Sequence, residues 1–273
     1  MLRLATFNVN GIRASFRRGF DHWLANRVPD VLALQELRCP LDQLPEGAWP
    51  GYHLSYHPGG LAGRNGVALL TRTRPSAIRL GHGSREFDHQ GRYLEIDLEP
   101  VPGLGLTVGS LYLPKGGRPA EPAEAAAQLR KDRFLRSFGR YLTRARRDAQ
   151  RAGRQFVVMG DFNIAHGPLD LANPKGNTRN PGYLPHEREW FEAALSPRTL
   201  IDVVRQTAGD RQGPYSWWTW RGQGWNNDSG WRIDYQLATP GLARTVRAAG
   251  TDREASYEER MSDHSPVVCD YDV

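Results

Sequence analysis

A short apolar run at residues 156–159 ends abruptly on a glycine, an acid and an amide. Its length and its β-branched side chains are typical of a buried strand. Gly160 permits a close backbone approach or an unusual φ, which would aim the side chains of Asp161 and Asn163 to the same side. Polar side chains at the end of a buried strand often carry chemistry, so we predict a functional site here. A strand closed by an Asx turn would be the better interpretation of an isolated motif of this kind.

Other predicted strands end in polar side chains in the same way. Strands are predicted over residues 2–9, 31–34, 52–56, 66–71, 92–98, 104–111 and 231–237. The polar side chains at these ends and in the closing segment are Asn8, Asn10, Glu36, Tyr112, Asp161, Asn163, His166, Asp234, Asp263 and His264. We rank His166 behind His264, because His166 could merely cap its loop. Oxygen ligands without thiolates select a hard cation, so the set predicts Mg²⁺, with Mn²⁺ as a substitute, rather than zinc.

The rest of the chain predicts one mixed α and β domain. Helices are predicted over residues 16–26, 122–152 and 185–195. The helix at 122–152 carries many arginines away from its apolar stripe, and we interpret them as a solvated surface. The loop at 173–182 is dense in turn residues, and long loops are often functional. Because no linker, repeat or shift in composition divides the chain, we predict a single domain over residues 1–273.

Composition narrows the choice of partner and compartment. A formal net charge of +6 and a pI near 9.5 suit a polyanionic partner, although the same excess is common on proteins that bind no anion. Cys39 and Cys269 lie too far apart to indicate a disulfide framework or a metal knuckle, which favours a reducing compartment. No apolar run approaches the ~20 residues of a membrane span, and no secretion signal opens the chain. We therefore expect a cytoplasmic protein without a membrane partner.

A phosphodiester is the substrate that these side chains suit. Its hydrolysis needs a metal to neutralise the phosphate and the leaving oxygen, a group that activates water, and donors for the developing charge. In this interpretation Glu36 is the chief metal ligand and Asp161 is the base or the orienter of water. His264 and Asn163 are then the donors to the phosphate.

Three further assignments need a choice between roles. Asp263 is adjacent to His264 in sequence and could not easily hold the same imidazole, so Asp234 is the better candidate to orient it. Tyr112 could be a hydrogen-bonded core tyrosine instead of a catalytic residue. Asn10 could serve plain turn chemistry instead of the metal.

Seven stretches occur in one order over nearly the whole chain: residues 7–13 (FNVNGIR), 34–36 (LQE), 66–70 (GVALL), 112–114 (YLP), 160–166 (GDFNIAH), 230–235 (GWRIDY) and 262–264 (SDH). With them the sequence closely resembles the exonuclease III family of apurinic/apyrimidinic endonucleases. That family belongs to the endonuclease/exonuclease/phosphatase superfamily, which also holds deoxyribonuclease I. Residues 173–176 and 230–234 resemble the abasic-site branch in particular.

The resemblance implies an α+β fold and a DNA-repair activity. The implied fold is a four-layer α/β/β/α sandwich, in which two mainly antiparallel sheets pack face to face between helices and the site lies on one rim. The implied activity is Mg²⁺-dependent cleavage of duplex DNA 5′ of an abasic site, which leaves a 3′-hydroxyl, with 3′–5′ exonuclease or 3′-end trimming. The expected partner is double-stranded DNA with abasic or damaged 3′ ends, bound by a monomer in the cytoplasm and associated with the nucleoid through DNA.

The resemblance also implies a role for each site residue. The residues implied to hold the metal are Glu36 and Asp263, with Asn8 and Asn10 in or beside its shell. The residues implied to act on the phosphate and the water are Tyr112, Asn163, His264, Asp161 and, by orienting the imidazole, Asp234. The residues implied to contact the substrate are Trp217, Trp231, Ile233, Arg92, Lys175 and Asn173. The first three of these match a small hydrophobic pocket for the flipped-out, baseless sugar, which selects by exclusion.

Two alternatives and two departures limit this interpretation. The chain could be a nuclease of other specificity, for general DNA or RNA, or a catalytically silent nucleic-acid-binding regulator on the same fold. Arg38 stands where a lysine is familiar, which keeps the charge but alters the donor geometry. Residues 115–118 match no familiar segment and bear on DNA insertion, so the balance of exonuclease and endonuclease activity is open.

Overall fold

The protein consists of two β-sheets with helices on their outer faces, in a computed structural model that describes residues 1–45, 47–61 and 63–273. The strands are β1 (Leu2–Asn8), β2 (Val31–Gln35), β3 (His53–His57), β4 (Val67–Thr71), β5 (Ala77–Leu80), β6 (Tyr93–Val101), β7 (Leu104–Tyr112), β8 (Gln155–Asp161), β9 (Ile201–Asp202), β10 (Asp234–Ala238), β11 (Val246–Thr251) and β12 (Val267–Tyr271). The helices are α1 (Ile12–Phe16), α2 (Phe20–Arg27), α3 (Pro122–Arg151), α4 (Pro185–Ala194), α5 (Val203–Ala208) and α6 (Pro240–Ala243).

The two sheets have the same internal arrangement. The described strands form one sheet in the order β11-β12-β1-β2-β4-β3 and another in the order β5-β6-β7-β8-β10-β9. Each sheet has one parallel pair at its centre, β1 with β2 and β7 with β8. The other pairs are antiparallel. The prediction of two mainly antiparallel sheets is confirmed.

The layers follow from which faces of the sheets are apolar. The inner faces share one core, in which Leu4 of the first sheet and Val157 of the second belong to the same cluster of buried side chains. The outer face of the second sheet packs against α3 and α4 through residues such as Phe134. The outer face of the first sheet packs against α1 and α2 through residues such as Phe20. The order helix, sheet, sheet, helix is the predicted four-layer sandwich.

Two predicted elements differ from the structure. The helix predicted over residues 16–26 begins only at Phe20, because Gly19, with a φ of 94°, separates α2 from the preceding α1, which was not predicted. The strand predicted over residues 231–237 begins only at Asp234. Before it, Trp231 pairs with single residues of two other segments, so this part of the chain follows the rim instead of the sheet.

No helix among residues 1–45, 47–61 and 63–273 combines the length and the apolar character that a bilayer span requires.

Candidate active site

The ends of strands from both sheets meet on one rim of the sandwich. Asp161 lies opposite Tyr112 across the parallel pair β7–β8 and opposite Asp234 across the antiparallel pair β8–β10. Asn8 ends β1 in the other sheet, and its Nδ2 donates to Asp161 Oδ2 at 2.9 Å. The predicted convergence of strand ends from remote parts of the chain is therefore present in the structure.

Gly160 allows Asp161 to reach this rim. Its φ is 143°, and a Cβ at this position would lie 2.0 Å from the carbonyl oxygen of Leu111. No other residue fits such a close approach without displacing the neighbouring strand. The glycine before Asp161 thus has the backbone role that the sequence suggested.

Asn8 joins the two carboxylates at the centre of the rim. Its Nδ2 donates to Glu36 Oε1 at 2.8 Å as well as to Asp161, and its side chain is fully buried.

Glu36 and Asn163 have φ values of 53° and 50°. Left-handed conformations of this kind are strained for residues other than glycine and persist only where surrounding contacts hold them. One ligand atom each of Glu36, Asp161 and His264 lie within 4.8 Å of one another.

His264 is held from behind by Asp234. Asp234 Oδ2 lies 2.8 Å from His264 Nδ1 and accepts a hydrogen bond from the Ser216 hydroxyl at 2.6 Å. The other ring nitrogen, Nε2, lies 3.8 Å from Asp161 Oδ2. Burial alone lowers the pKa of His264, but Asp234, followed by Asp161, raises it to about 10, so the ring is an imidazolium at neutral pH.

Asp161 is unusually easy to protonate for an aspartate. Burial raises its pKa to about 7, although the charge of His264 acts in the opposite direction. The backbone N–H of Asn163 donates to Asp161 Oδ1 at 2.8 Å, which fixes the orientation of the carboxylate. A carboxylate with a pKa near neutrality is well matched to general-base chemistry.

A second acid, Asp263, lies beside this group with two donors of its own. Asn10 Nδ2 donates to Asp263 Oδ1 at 2.8 Å, and Trp217 Nε1 donates to Asp263 Oδ2 at 3.1 Å. Burial raises the pKa of Asp263, but His264 and these two donors lower it more, so the net pKa is below its ordinary value. Asn10 Oδ1 is buried and has no hydrogen-bond partner among the described residues. An unpaired buried oxygen beside carboxylates suits a hard divalent cation, so the donor set fits Mg²⁺.

Tyr112 and Asn163 join Glu36, Asp161, Asp263 and His264 to complete the polar wall of the site. Asn163 Nδ2 lies 3.2 Å from Asp161 Oδ2. Burial, followed by the neighbouring carboxylates, raises the pKa of Tyr112 well above its ordinary value, so the phenol keeps its proton. Arg92 lies behind Tyr112, with its guanidinium carbon 5.0 Å from the ring centre.

An apolar pocket adjoins the polar wall within one cleft of about 240 Å³. Trp217, Trp231 and Ile233 line this end of the cleft, and the backbone of Trp217 pairs with both Trp231 and His264. Trp218, the next residue, is only 1% exposed and belongs to the core. The three residues predicted to form a hydrophobic pocket therefore lie together, next to the carboxylates.

The predicted loop residues lie at the periphery. Asn173 and Lys175 are exposed, and Asn173 Oδ1 accepts a hydrogen bond from the backbone N–H of Gly176 at 3.0 Å. Farther along the same loop, Gly182 lines the cleft. His166 lies 2.6 Å from Glu192, so it takes no part in the group around His264.

Four basic residues near the site are not among the predicted site residues. Arg38 forms an ion pair with Glu36, and Lys115 lines the cleft. Both follow a predicted site residue closely in sequence, Glu36 and Tyr112 respectively, and this proximity is the signal that could have added them to the site.

Lys131 and Arg260 are buried, and no local pattern indicates their partners. Lys131 donates to the carbonyl oxygen of Asn163 at 2.8 Å. Arg260 donates to the carbonyl oxygens of Trp218 at 2.6 Å and Asp263 at 3.2 Å, which ties together the two segments that carry Trp217 and His264.

The family follows from a comparison with known proteins. A model of the Endonuclease/Exonuclease/phosphatase family matches residues 5–264. Because the match covers most of the chain, the chain belongs to this family.

Two curated relatives show how far the similarity extends. The chain is 30% identical over 270 residues to an exodeoxyribonuclease of Bacillus subtilis, and the match covers 97% of this chain and 98% of that protein. It is also 30% identical over 276 residues to Recombination repair protein 1 of Drosophila melanogaster. That match covers 100% of this chain but 37% of the Drosophila protein, so the chain spans just over a third of its length.

Solved structures agree with the observed fold over the whole chain. An AP endonuclease from Archaeoglobus fulgidus is 27% identical, with a TM-score of 0.81 and 100% of both chains covered. A 3′ phosphatase from Neisseria, bound to a product DNA hairpin, is 28% identical, with a TM-score of 0.84 and 100% of both chains covered.

Proposed function

We propose that this protein is a metal-dependent DNA-repair nuclease that cleaves duplex DNA 5′ of an abasic site and leaves a 3′-hydroxyl, and that the same site trims damaged 3′ ends. The observation that carries the proposal is the meeting of Glu36, Asp161 and His264 on one rim, beside an apolar pocket. The similarity to an exodeoxyribonuclease, an AP endonuclease and a 3′ phosphatase supports DNA as the substrate.

The proposed ion is Mg²⁺, with Mn²⁺ as a substitute, held by Glu36 and Asp263 with help from Asn10. The unpaired oxygen of Asn10 supports this assignment. Asn8 has a different task, since its Nδ2 faces two carboxylates and its Oδ1 accepts from the backbone N–H of Asn10 at 3.0 Å. Its side chain therefore fixes the carboxylates around the site. When bound, the ion neutralises charge on the phosphate and on the leaving oxygen.

The remaining polar groups act on the water and the phosphate. Asp161 accepts the proton of the attacking water, held in place by Asn8 and by the backbone of Asn163. The imidazolium of His264, oriented by Asp234, donates to a phosphate oxygen, as does the phenol of Tyr112. The amide of Asn163 donates to Leu113 O at 3.0 Å and to Asp161 Oδ2 at 3.2 Å, and in this proposal it exchanges the second contact for the phosphate. Fixed donors aimed at the developing charge stabilise the transition state without reorganisation.

The apolar pocket provides the proposed preference for abasic sites. Trp217, Trp231 and Ile233 offer surface to a sugar without a base, and extrusion of a nucleotide costs least where no base is stacked. Asn173 and Lys175, exposed on the rim loop, are proposed contacts to the DNA backbone. Arg92 supports Tyr112 from behind, so its proposed effect on substrate binding is indirect.

A 3′-end activity is the second candidate for the main reaction, because the Neisseria structure is named a 3′ phosphatase. The same donors would serve a terminal phosphate, and the apolar pocket is the feature that favours an internal abasic site. A silent nucleic-acid-binding regulator is opposed by the presence of the complete polar set on one rim.

The proposal extends to assembly and location. We propose that residues 1–273 act as one domain, since both sheets share a core, and that the protein acts as a monomer. Cys39 and Cys269 are buried free thiols, which supports a reducing compartment such as the cytoplasm, with the DNA of the nucleoid as partner.

Three duplexes test the proposal: one with a single tetrahydrofuran abasic analogue, one with a nick ending in a 3′-phosphate, and one undamaged. We expect Mg²⁺ to support a single cut 5′ of the tetrahydrofuran with a 3′-hydroxyl product, removal of the 3′-phosphate, and loss of both activities in EDTA. No cleavage across a range of Mg²⁺ and Mn²⁺ concentrations would refute the enzyme, and equal cutting of the undamaged duplex would refute the specificity.

A further inference from the structure

Helix α3 carries a row of arginines on one face. Successive members lie three or four residues apart, which places them one above the other along the helix. They are Arg133, Arg136, Arg140, Arg144, Arg147 and Arg151. At 1.5 Å per residue, the row is about 27 Å long.

The middle of this row has no acidic partners. Arg133 pairs with Glu86 and Arg151 with Asp148, at the two ends. Between them, the arginine row proper is Arg136, Arg140, Arg144 and Arg147, all exposed. None of these four forms an ion pair or a side-chain hydrogen bond within residues 1–45, 47–61 and 63–273.

The charge pattern of the row differs from that of an ordinary solvent-exposed helix face. No Asp or Glu occurs between residues 133 and 147, and within the arginine row the flanking Asp132 and Asp148 lie one turn from Arg136 and Arg144 only. The charged residues one turn from Arg140 are therefore all arginines, without the alternating signs that stabilise exposed helices. Like charges one turn apart destabilise a helix. At the neighbouring Arg146, burial lowers the pKa, and the charge of Arg147 lowers it further. A partner that supplies negative charge would remove this repulsion.

The row begins near the cleft and leads away from it. Lys131, in an early turn of α3, donates to the carbonyl oxygen of Asn163, which lines the cleft. Arg136 lies five residues farther on, about 8 Å along the axis, and Arg147 about 24 Å along it. The arginine row is thus a surface of its own on the outer helical layer, joined to the cleft by one end of α3.

We propose that the arginine row is a second contact surface for the phosphate backbone of duplex DNA, outside the cleft. Its members from Arg136 to Arg147 span about 17 Å, comparable with five nucleotides at about 3.4 Å per nucleotide of one strand. Guanidinium groups bind phosphate oxygens in pairs of hydrogen bonds, without reading the sequence. The row offers charge without an apolar side chain among its four members, which suits a phosphate chain better than a protein interface with its apolar centre. This inference rests on the proposed function, since it assumes that DNA is the substrate.

Two variants of equal charge test the role of the row. The row variant combines Arg136→Gln, Arg140→Gln and Arg147→Gln. The control variant combines Arg74→Gln, Arg211→Gln and Arg244→Gln, three exposed arginines outside both α3 and the lining of the cleft. Binding of an undamaged, fluorescein-labelled duplex of about 30 base pairs is measured by anisotropy in EDTA over a range of KCl, where the salt dependence reports how many phosphates the protein neutralises.

We expect the row variant to bind the duplex about tenfold more weakly at low salt. The slope of log K against log[KCl] should fall by about 0.9 for each phosphate that the variant no longer neutralises. The control variant should stay within about twofold of the original protein. Equal behaviour of the two variants would overturn the inference. So would a row variant that keeps its affinity for DNA but binds polyglutamate more weakly, because the surface would then serve an acidic protein.

Folding of the variants is monitored by their melting temperature. Removal of like charges should leave the melting temperature unchanged or raise it, and Arg140→Glu alone, a single surface change, should also weaken DNA binding more than Arg74→Glu. If the original protein fails to nick an abasic duplex, the proposed function is wrong, whereas the binding comparison still decides whether the row contacts DNA.

Discussion

Lys131→Met tests how far a buried ion pair beside the active site stabilises the fold. Lys131 and Glu187 are both fully buried, with Nζ 2.7 Å from Oε1. Removal of one partner from such a pair leaves an uncompensated charge and costs about 3–5 kcal/mol. The carbonyl of Asn163 is also deprived of its donor, which adds about 1 kcal/mol. Glu187 retains three donors, the backbone N–H groups of Gly182 at 2.7 Å and Leu184 at 3.2 Å and Gln128 Nε2 at 3.1 Å, which offset part of this cost. We expect a net decrease of about 3–4 kcal/mol in the free energy of unfolding.

Urea denaturation followed by tryptophan fluorescence measures this decrease. The matched comparison is Lys131→Met combined with Glu187→Gln, which removes both charges and keeps an acceptor for Gly182. The double variant should be about 2 kcal/mol more stable than Lys131→Met alone, because no buried charge is left unpaired. Two results would contradict this reasoning. Either the free energy of unfolding of Lys131→Met lies within about 1 kcal/mol of that of the original protein, or the double variant is less stable than Lys131→Met. In both cases an unpaired charge on Glu187 would not be the cause of destabilisation.

Three further results are expected. Asp234→Asn should lower the pKa of His264 from about 10, because Asp234 raises it, and NMR titration of the ring would show the shift; an unchanged pKa would contradict the assigned contact. Trp231→Ala should open the apolar pocket and reduce the preference for abasic over undamaged duplex about tenfold, measured by kcat/KM; an unchanged ratio would mean that the pocket does not set the specificity. Burial raises the pKa of Asp170, but Arg232 lowers it more, so its pKa in the folded state lies below its unfolded pKa of about 4. The ionised carboxylate therefore stabilises the fold above the unfolded pKa, and this stability is lost as the pH falls through the folded pKa. Asp170→Asn should weaken this acid dependence in urea titrations, and an unaltered dependence would contradict the pairing.

Much of the fold could be predicted because its central strands are buried on both faces. β2 and β4 are completely buried, and such strands appear in the sequence as short apolar runs. The edge strand β5 has only four residues, and its apolar side chains Ile78 and Leu80 are exposed, so burial does not follow the apolar pattern there. Residues 201–204 contain three β-branched apolar side chains, and these do not reveal that the structure divides the segment between β9 and α5. There Asp202 accepts a hydrogen bond from the backbone N–H of Arg205 at 3.0 Å, which starts the helix.

The site was predictable where polar residues end a strand, as Asp161 does, or directly follow one, as Glu36 does. It was not predictable where contacts between distant residues decide the role. Asn8 looks like a metal ligand in sequence, but its amide faces two carboxylates. The contacts of Lys131 and Arg260 join residues from separate segments, which no local spacing records.

The single-turnover rate of the Asp161→Asn variant decides whether the Asp161 carboxylate activates the water. The substitution replaces one carboxylate oxygen by an amide group with little change in shape, so a loss of rate reports the chemistry of the carboxylate. The substrate is a duplex with one tetrahydrofuran site, in Mg²⁺, with enzyme in excess and with binding measured in parallel. We expect the original protein to nick 5′ of the lesion and the variant to be slower by about a thousandfold, with duplex affinity within about threefold. A variant that cuts within severalfold of the original rate would show that Asp161 does not activate the water and that the chemistry lies elsewhere.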